Sequence, residues 1–154
     1  MTVRPATIDD LPVVEELWRA SEDEASPPVH EAVDEDDRLA EIRQTLASGL
    51  AWIAERDGAA VGMVLARRRG ARAGRITALY VRPSVRREGI ARALTRAVVE
   101  RLRQDGVEAV DVEVLASSAA ARATATRFGM REEALVLGAS VEVLAGQLGG
   151  SSGG

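Results

Sequence analysis

The sequence predicts a single α+β (α/β) domain, and three observations carry that reading. Of its 154 residues 46% are apolar and 29% charged, the balance of a globular chain that buries a core. Segments with helical apolar spacing alternate with segments of strand-like alternation. An Asp57-Gly58 turn lies between two apolar runs, the signature of an antiparallel hairpin. The length suits one domain over 1–148, with 149–154 a flexible Gly/Ser tail outside the fold.

The elements follow in chain order. Val3 to Ala6 reads as a short strand, and Thr7-Ile8-Asp9-Asp10 has the Thr-x-x-Asp form of a capping box. Leu11, Val14, Leu17 and Trp18 give the helix that follows one apolar face. Ser26-Pro27-Pro28 makes 21–36 a loop, after which Asp36 and Asp37 open a second helix carrying Leu39, Ile42 and Leu46. Leu50 to Glu55 and Ala60 to Arg67 are the hairpin strands, and Arg75 to Val81 is a third strand ended by Pro83. Ile90, Ala93, Leu94, Ala97, Val98 and Leu102 line a helix from Gly89 to Gln104 that stops at Asp105-Gly106. Val107 to Leu115 alternates as a strand, a helix runs from about Ser118 to Phe128, and Arg131 to Leu137 reads as a further strand. Val141 to Leu148 fits a short helix or a strand equally well.

Composition excludes several chemistries. The absence of cysteine removes disulfides, thiolate metal ligands and a cysteine nucleophile, and a lone His30 cannot build a histidine metal cluster, so no metal is expected. No run approaches the ~18 apolar residues of a membrane span, and the N-terminus carries carboxylates where a signal peptide needs a basic start. A cytoplasmic protein without a membrane partner is the expectation. All twenty basic residues are arginine, a bias of the whole chain that carries no functional weight.

Charge is divided along the chain. Nine carboxylates face one arginine between Glu22 and Glu41, whereas twelve arginines face two glutamates between Arg67 and Arg103. Each run can be a solvated face. Together they also suit an entrance for a cationic substrate beside a seat for an anionic one.

The stretch from Ala78 to Leu94, with Arg86-Arg87-Glu88-Gly89-Ile90-Ala91 at its centre, passes from strand through a basic turn into a helix. Helix starts leave amide donors unsatisfied and partly positive, which suits a phosphate. A nucleoside-triphosphate loop would need Gly-Lys-Ser/Thr and the chain has no lysine; a dinucleotide loop would need three glycines and this turn has one. Nucleic-acid binding through 67–103 is the weaker account, because a phosphate turn explains the arginines and few aromatics are present for base stacking.

The turn resembles motif A of the GCN5-related N-acetyltransferase (GNAT) superfamily, whose Gln/Arg-x-x-Gly-x-Gly/Ala appears as Arg86 to Ala91, and the resemblance extends over about residues 3–137. The opening 3–10 is similar to that family's first strand and helix cap, and 54–62 to the hairpin of its second and third strands. The resemblance implies a central mixed, mostly antiparallel sheet of about six to seven strands flanked by about four helices, with a splayed strand pair holding acetyl-CoA. It implies that backbone groups of Leu79, Tyr80 and Val81 meet the pantetheine arm, one amide polarising the thioester carbonyl. The amides of Arg86, Arg87, Glu88, Gly89, Ile90, Ala91 and Arg92 would hold the pyrophosphate, and Ser118 stands where many members contact the cofactor through asparagine.

Acetyl transfer needs an amine to lose a proton. Glu113 matches the glutamate base of the ribosomal-protein branch, whereas the base of the histone-modifying branch aligns with Arg75. The tyrosine that many relatives use as acid, twelve residues on, is Ala125 here, leaving Thr124, Thr126, Ser118 or water to assist. The acidic 22–37 segment containing His30 would border the acceptor, pointing to a cationic amine of a small molecule or peptide. A coenzyme A-binding module without efficient catalysis is the second reading, and a homodimer is compatible with the family. Trp18 and Trp52 are expected in the core.

Overall fold

A computed structural model describes residues 1–24, 34–115 and 117–149. The chain opens with β1 (Thr2–Pro5), a 3-10 turn (Ile8–Asp10) and α1 (Leu11–Asp23). The Thr7 amide donates to Asp10 Oδ2 at 2.8 Å, the half of the expected capping box that reaches back to the cap residue. Arg4 holds that same carboxylate at 2.8 Å, and this guanidinium keeps Asp10 below the usual aspartate range. Next comes α2 (Glu35–Ser48), capped by Asp34, whose side chain accepts from the Asp37 amide, and closed by Gly49 in the left-handed conformation.

Strands β2 (Ala51–Arg56) and β3 (Ala59–Arg69) meet through Asp57 and Gly58 with φ of 52° and 77°, the paired positive torsions that Asp-Gly provides. Strand β4 (Ala73–Val81) pairs with β3, helix α3 (Ile90–Gln104) crosses back, and β5 (Ala109–Val112) lies parallel to β4. The sheet order is β1-β2-β3-β4-β5, antiparallel except for the last pair.

Each face of the sheet buries its own core. Ile90, Leu94, Val98 and Leu102, spaced for one side of α3, pack on Trp52, Val64, Ile76 and Val81. Val14 and Leu17 of α1 and Ile42 and Leu46 of α2 pack on Ile53, Met63, Leu65 and Tyr80 of the opposite face.

Helices α4 (Ala119–Arg127) and α5 (Val141–Gly149) complete the described chain. The mixed, mostly antiparallel sheet and α+β class stand as expected, but with five strands and five helices among the described residues rather than six or seven strands and four helices. The missing strand is 131–137, which is not strand and is exposed throughout. Two physical reasons are visible. Leu135-Val136-Leu137 are three consecutive apolar residues without the alternation that fixes a face, and β5 offers an edge of only four residues. The 107–115 strand likewise contracts to Ala109–Val112. The 141–148 segment resolves as helix, reaching Gly149, the first residue of the expected tail.

Candidate functional site

The sheet opens beside β4. Strand β5 pairs with it only from Ala73 to Ile76, so 77–81 have β3 on one side and no strand on the other among the described residues. A bulge accompanies the opening: Leu65 faces Ala78 and Ala66 faces Ile76, leaving Thr77 out of register. This extra residue reverses the side-chain alternation. Ile76 packs in the α3 layer before it and Val81 after it, while Ala78 and Tyr80 turn to the α1–α2 layer. The Arg82 amide donates to the Val61 carbonyl at 2.8 Å. Antiparallel alternation from that bond turns the N–H and C=O of Leu79 and Val81 away from β3, toward the open edge. Of the three residues expected there, Leu79 directs its N–H and C=O to the gap, Val81 its N–H with its carbonyl already accepting from Arg86 Nε, and Tyr80 neither.

Beyond β4, a 3-10 turn (Pro83–Val85) leads to Arg86 and then to Arg87 at φ 66° and Gly89 at φ 83°, the residue that caps α3. No side chain caps this helix. Its first bond runs from the Ala93 amide to the Gly89 carbonyl, so the amides of Ile90, Ala91 and Arg92 precede the ladder. Those of Arg87, Glu88 and Gly89 donate to no backbone carbonyl among the described residues. A Cβ added at Gly89 would meet no heavy atom within 4 Å. Six consecutive amides thus bracket an open, partly positive approach, with buried Ile90 anchoring the helix beneath it.

Side chains brace this turn from elsewhere in the fold. Arg86 Nε donates to the Val81 carbonyl at 2.8 Å, and its Nη2 to Glu24 Oε2 at 2.6 Å. Tyr80 Oη donates to Glu24 Oε1 at 3.0 Å, and the Arg86 guanidinium lies 5.7 Å from the Tyr80 ring centre. Burial first and the Glu24 contact second push the Tyr80 phenol up, so it stays neutral. Arg82 pairs with Glu16 at 2.6 Å, and Glu88 with Arg56 at 2.5 Å. Of the amides expected to hold the diphosphate, that of Arg86 is the exception, since it donates to the Pro83 carbonyl at 3.4 Å to close the 3-10 turn, and the Arg86 side chain is held by the end of α1.

On the outer face of α3, beside the turn, Arg92, Thr95, Arg96, Val99 and Phe128 line a cavity of about 170 Å³. Arg92 stands 5.0 Å from the Phe128 ring centre, and the buried Thr95 Oγ1 has no hydrogen-bond partner among the described residues. Sequence reasoning missed this wall. The signal was present as the spacing 92, 95, 96, 99, a second helical stripe on the face away from the core.

Glu113 follows directly on β5, exposed, accepting from Arg75 Nη1 at 2.7 Å. The same arginine holds Asp111 at 2.8 Å, Arg69 joins at 2.5 Å, and the Arg75 contact keeps Asp111 below the usual aspartate range. Ser118 caps α4, its hydroxyl accepting from the Ala121 amide at 3.3 Å. The hydroxyls of Thr124 and Thr126 donate to the Ala120 and Arg122 carbonyls, so all three hydroxyls near Ala125 are bonded within their own helix. Trp52 is buried in the α3-side core, while Trp18 is half-buried and donates to Glu22. His30 and most of the acidic acceptor segment lie outside the described residues.

Comparison with known proteins fits this geometry. A GNAT-family acetyltransferase from Ralstonia eutropha JMP134 is similar with a TM-score of 0.74 and 22% identity, over 90% of this chain and 97% of that one. The aminoglycoside antibiotic 6'-N-acetyltransferase AAC(6')-IG from Acinetobacter haemolyticus has a TM-score of 0.70 and 22% identity, over 91% and 97%. The aminoglycoside N-acetyltransferase AAC(6')-Iy, solved in complex with CoA, has a TM-score of 0.66 and 19% identity, over 90% and 98%. At these identities the likeness is one of fold. No curated protein matches. The acetyltransferase (GNAT) family model, however, matches residues 12–130, most of the chain and the whole of the open strand edge and amide turn, and the chain belongs to that family.

Proposed function

We propose that this protein is an N-acetyltransferase that moves the acetyl group of acetyl-CoA to a primary amine, without a metal. One observation carries the reading: an open strand edge presenting the N–H and C=O of Leu79 and the N–H of Val81 leads into a turn of six amides with no backbone acceptor among the described residues. The edge suits the amide-bearing pantetheine arm by strand-like pairing. The turn suits a diphosphate. The Arg92–Arg96–Phe128 cavity, one to two helical turns further along, offers guanidinium and ring faces to the adenosine phosphate.

The chemistry is direct transfer. The free amine attacks the thioester carbonyl carbon, a C–N bond forms, the C–S bond breaks, and the thiolate leaves. An edge amide at Leu79 or Val81 donates to the carbonyl oxygen as charge develops on it. Glu113 takes the proton that frees the acceptor ammonium to attack, directly or through one water, with Arg75 holding the carboxylate in place, and the proton shed as the nitrogen becomes an amide goes to the departing thiolate or to water. The acidic 22–37 segment favours a cationic acceptor: a polyamine, an aminoglycoside-like amine or a basic peptide terminus. AAC(6')-Iy, with CoA bound in its own fold, is consistent with this cofactor.

A second reading, a coenzyme A-binding module without efficient turnover, draws on Ala125 and on the Thr124 and Thr126 hydroxyls beside it, which donate to carbonyls of their own helix. Thiol release from acetyl-CoA across a panel of amines decides between them. Turnover with a cationic amine supports the transferase; stabilisation by acetyl-CoA with no turnover on any amine supports the module; absence of coenzyme A binding removes both.

A further inference from the structure

Arg87 is a side-chain-bearing residue in the left-handed backbone region, at φ 66°. The other such residue among the described ones, Asp57, sits in a hairpin turn where aspartate is at home. An arginine in that region is strained and persists only where its surroundings over-determine it. Here the two flanking residues are both tied across the fold. Glu88 pairs with Arg56 of β2, and Arg86 pairs with Glu24, 62 residues earlier in the chain.

Of the two ties, the one to Glu24 is the more rigid. Its carboxylate serves two donors at once, the Tyr80 hydroxyl on one oxygen and Arg86 Nη2 on the other. Arg86 is fixed further by Nε on the Val81 carbonyl and by the Tyr80 ring beneath its guanidinium. Tyr80 is itself 7% exposed and cannot move without opening the α1-side core. An isolated exposed ion pair contributes little; one anchored through a buried phenol and a strand carbonyl sets a position.

We propose that Glu24 is a positioning residue for the amide turn: by fixing Arg86 it holds Arg87 in the left-handed conformation, and so keeps the amides of 87–92 aimed at their ligand. The inference rests on the reading of that turn as a coenzyme A diphosphate site. Glu24 touches neither ligand nor turn amides; it acts through Arg86. It also caps the C-terminal end of α1, within the acidic 22–37 stretch assigned to the acceptor, so one side chain joins the cofactor seat to the acceptor side.

A double-mutant cycle with coenzyme A as the titrated probe tests this, read by calorimetry alongside thermal melts. Glu24→Ala is expected to raise the coenzyme A Kd about five- to thirtyfold, the range that the backbone strain of a side chain in the left-handed region corresponds to. Glycine adopts the left-handed region without strain, so in an Arg87→Gly background the same Glu24→Ala change is expected to cost less than about twofold. A merely structural Glu24 would lower Tm and cost the same factor in both backgrounds, and that result, or an unchanged Kd, overturns the proposal. Should Glu24→Ala fail to fold, Glu24→Gln gives the same comparison, because it keeps an acceptor for Tyr80 and removes the charge that holds Arg86. A wild-type chain with no saturable coenzyme A isotherm would overturn the diphosphate reading itself; a wild-type chain that binds, with equal losses in both backgrounds, overturns only the role of Glu24.

Discussion

Gly62 stands against the carbonyl of Tyr80: a Cβ built on Gly62 would lie 2.8 Å from that oxygen and 3.3 Å from both Leu94 Cδ1 and Val81 Cγ2. The obstacle is backbone on one side and buried α3 packing on the other, so neither can give way cheaply. Gly62→Ala is expected to destabilise the fold by about 1–3 kcal/mol, lowering Tm by roughly 3–10 °C. At Gly74 the added atom would meet Leu102 Cδ1 at 2.8 Å, the mobile end of a side chain, so Gly74→Ala should cost less. Melting curves of the two variants check the order, and a reversal would mean that the strand, not the helix, absorbs the strain.

At the turn, Gly89→Glu places a carboxylate where the space beside the helix start is open. The loss expected is electrostatic and conformational together, since φ is 83° there. Coenzyme A affinity should fall more than about tenfold with the melt lowered by only a few degrees. Titration of coenzyme A into folded variant protein measures it, and retained affinity would relocate the site.

Glu113→Gln keeps the Arg75 contact but removes the proton acceptor. Acetyl transfer at neutral pH should fall about 100-fold or more while the Kd for coenzyme A stays unchanged, and the rise of rate with pH should flatten. Steady-state rates over a pH series, beside a binding isotherm, check both halves. An unaltered profile would remove Glu113 from the chemistry.

Acid should expose the arginine–aspartate pairs. Arg75 first, and Arg69 with it, hold Asp111 below the ordinary aspartate value of about 3.9. A carboxylate with a depressed folded pKa contributes stability above its unfolded pKa and loses it as pH falls through the folded one. The Tm gap between wild type and Asp111→Asn should therefore be present at pH 7 and close on acidification below about pH 4. A gap independent of pH would show that asparagine fails there for reasons of shape.

How far the sequence could be read depended on the range of the interaction that fixed each feature. Asp57-Gly58 and Thr7 to Asp10 are complete within a few residues, and both formed as expected. The turn from Arg86 to Ala91 was also legible, because amides at a helix start need no distant partner. Long-range features were not. That Arg86 would turn its side chain to Glu24 depends on where α1 ends relative to β4, which no local pattern encodes. The bulge at Thr77 is invisible in Ile76 to Val81, where apolar residues fall on both faces and either register of alternation fits. The expectation of a strand at 131–137 erred the other way, because β-forming residues were present but an adequate edge to pair with was not.

The unpaired Thr77 also places a limit on the lineage of this chain. Within β4, from Gly74 under Leu102 to Val81 under α3, each side chain is assigned to a layer by its count from that extra residue. Point substitutions can drift there, but inserting or deleting a single amino acid would turn half of β4 inside out, so the spacing should outlast the identities in divergent descendants.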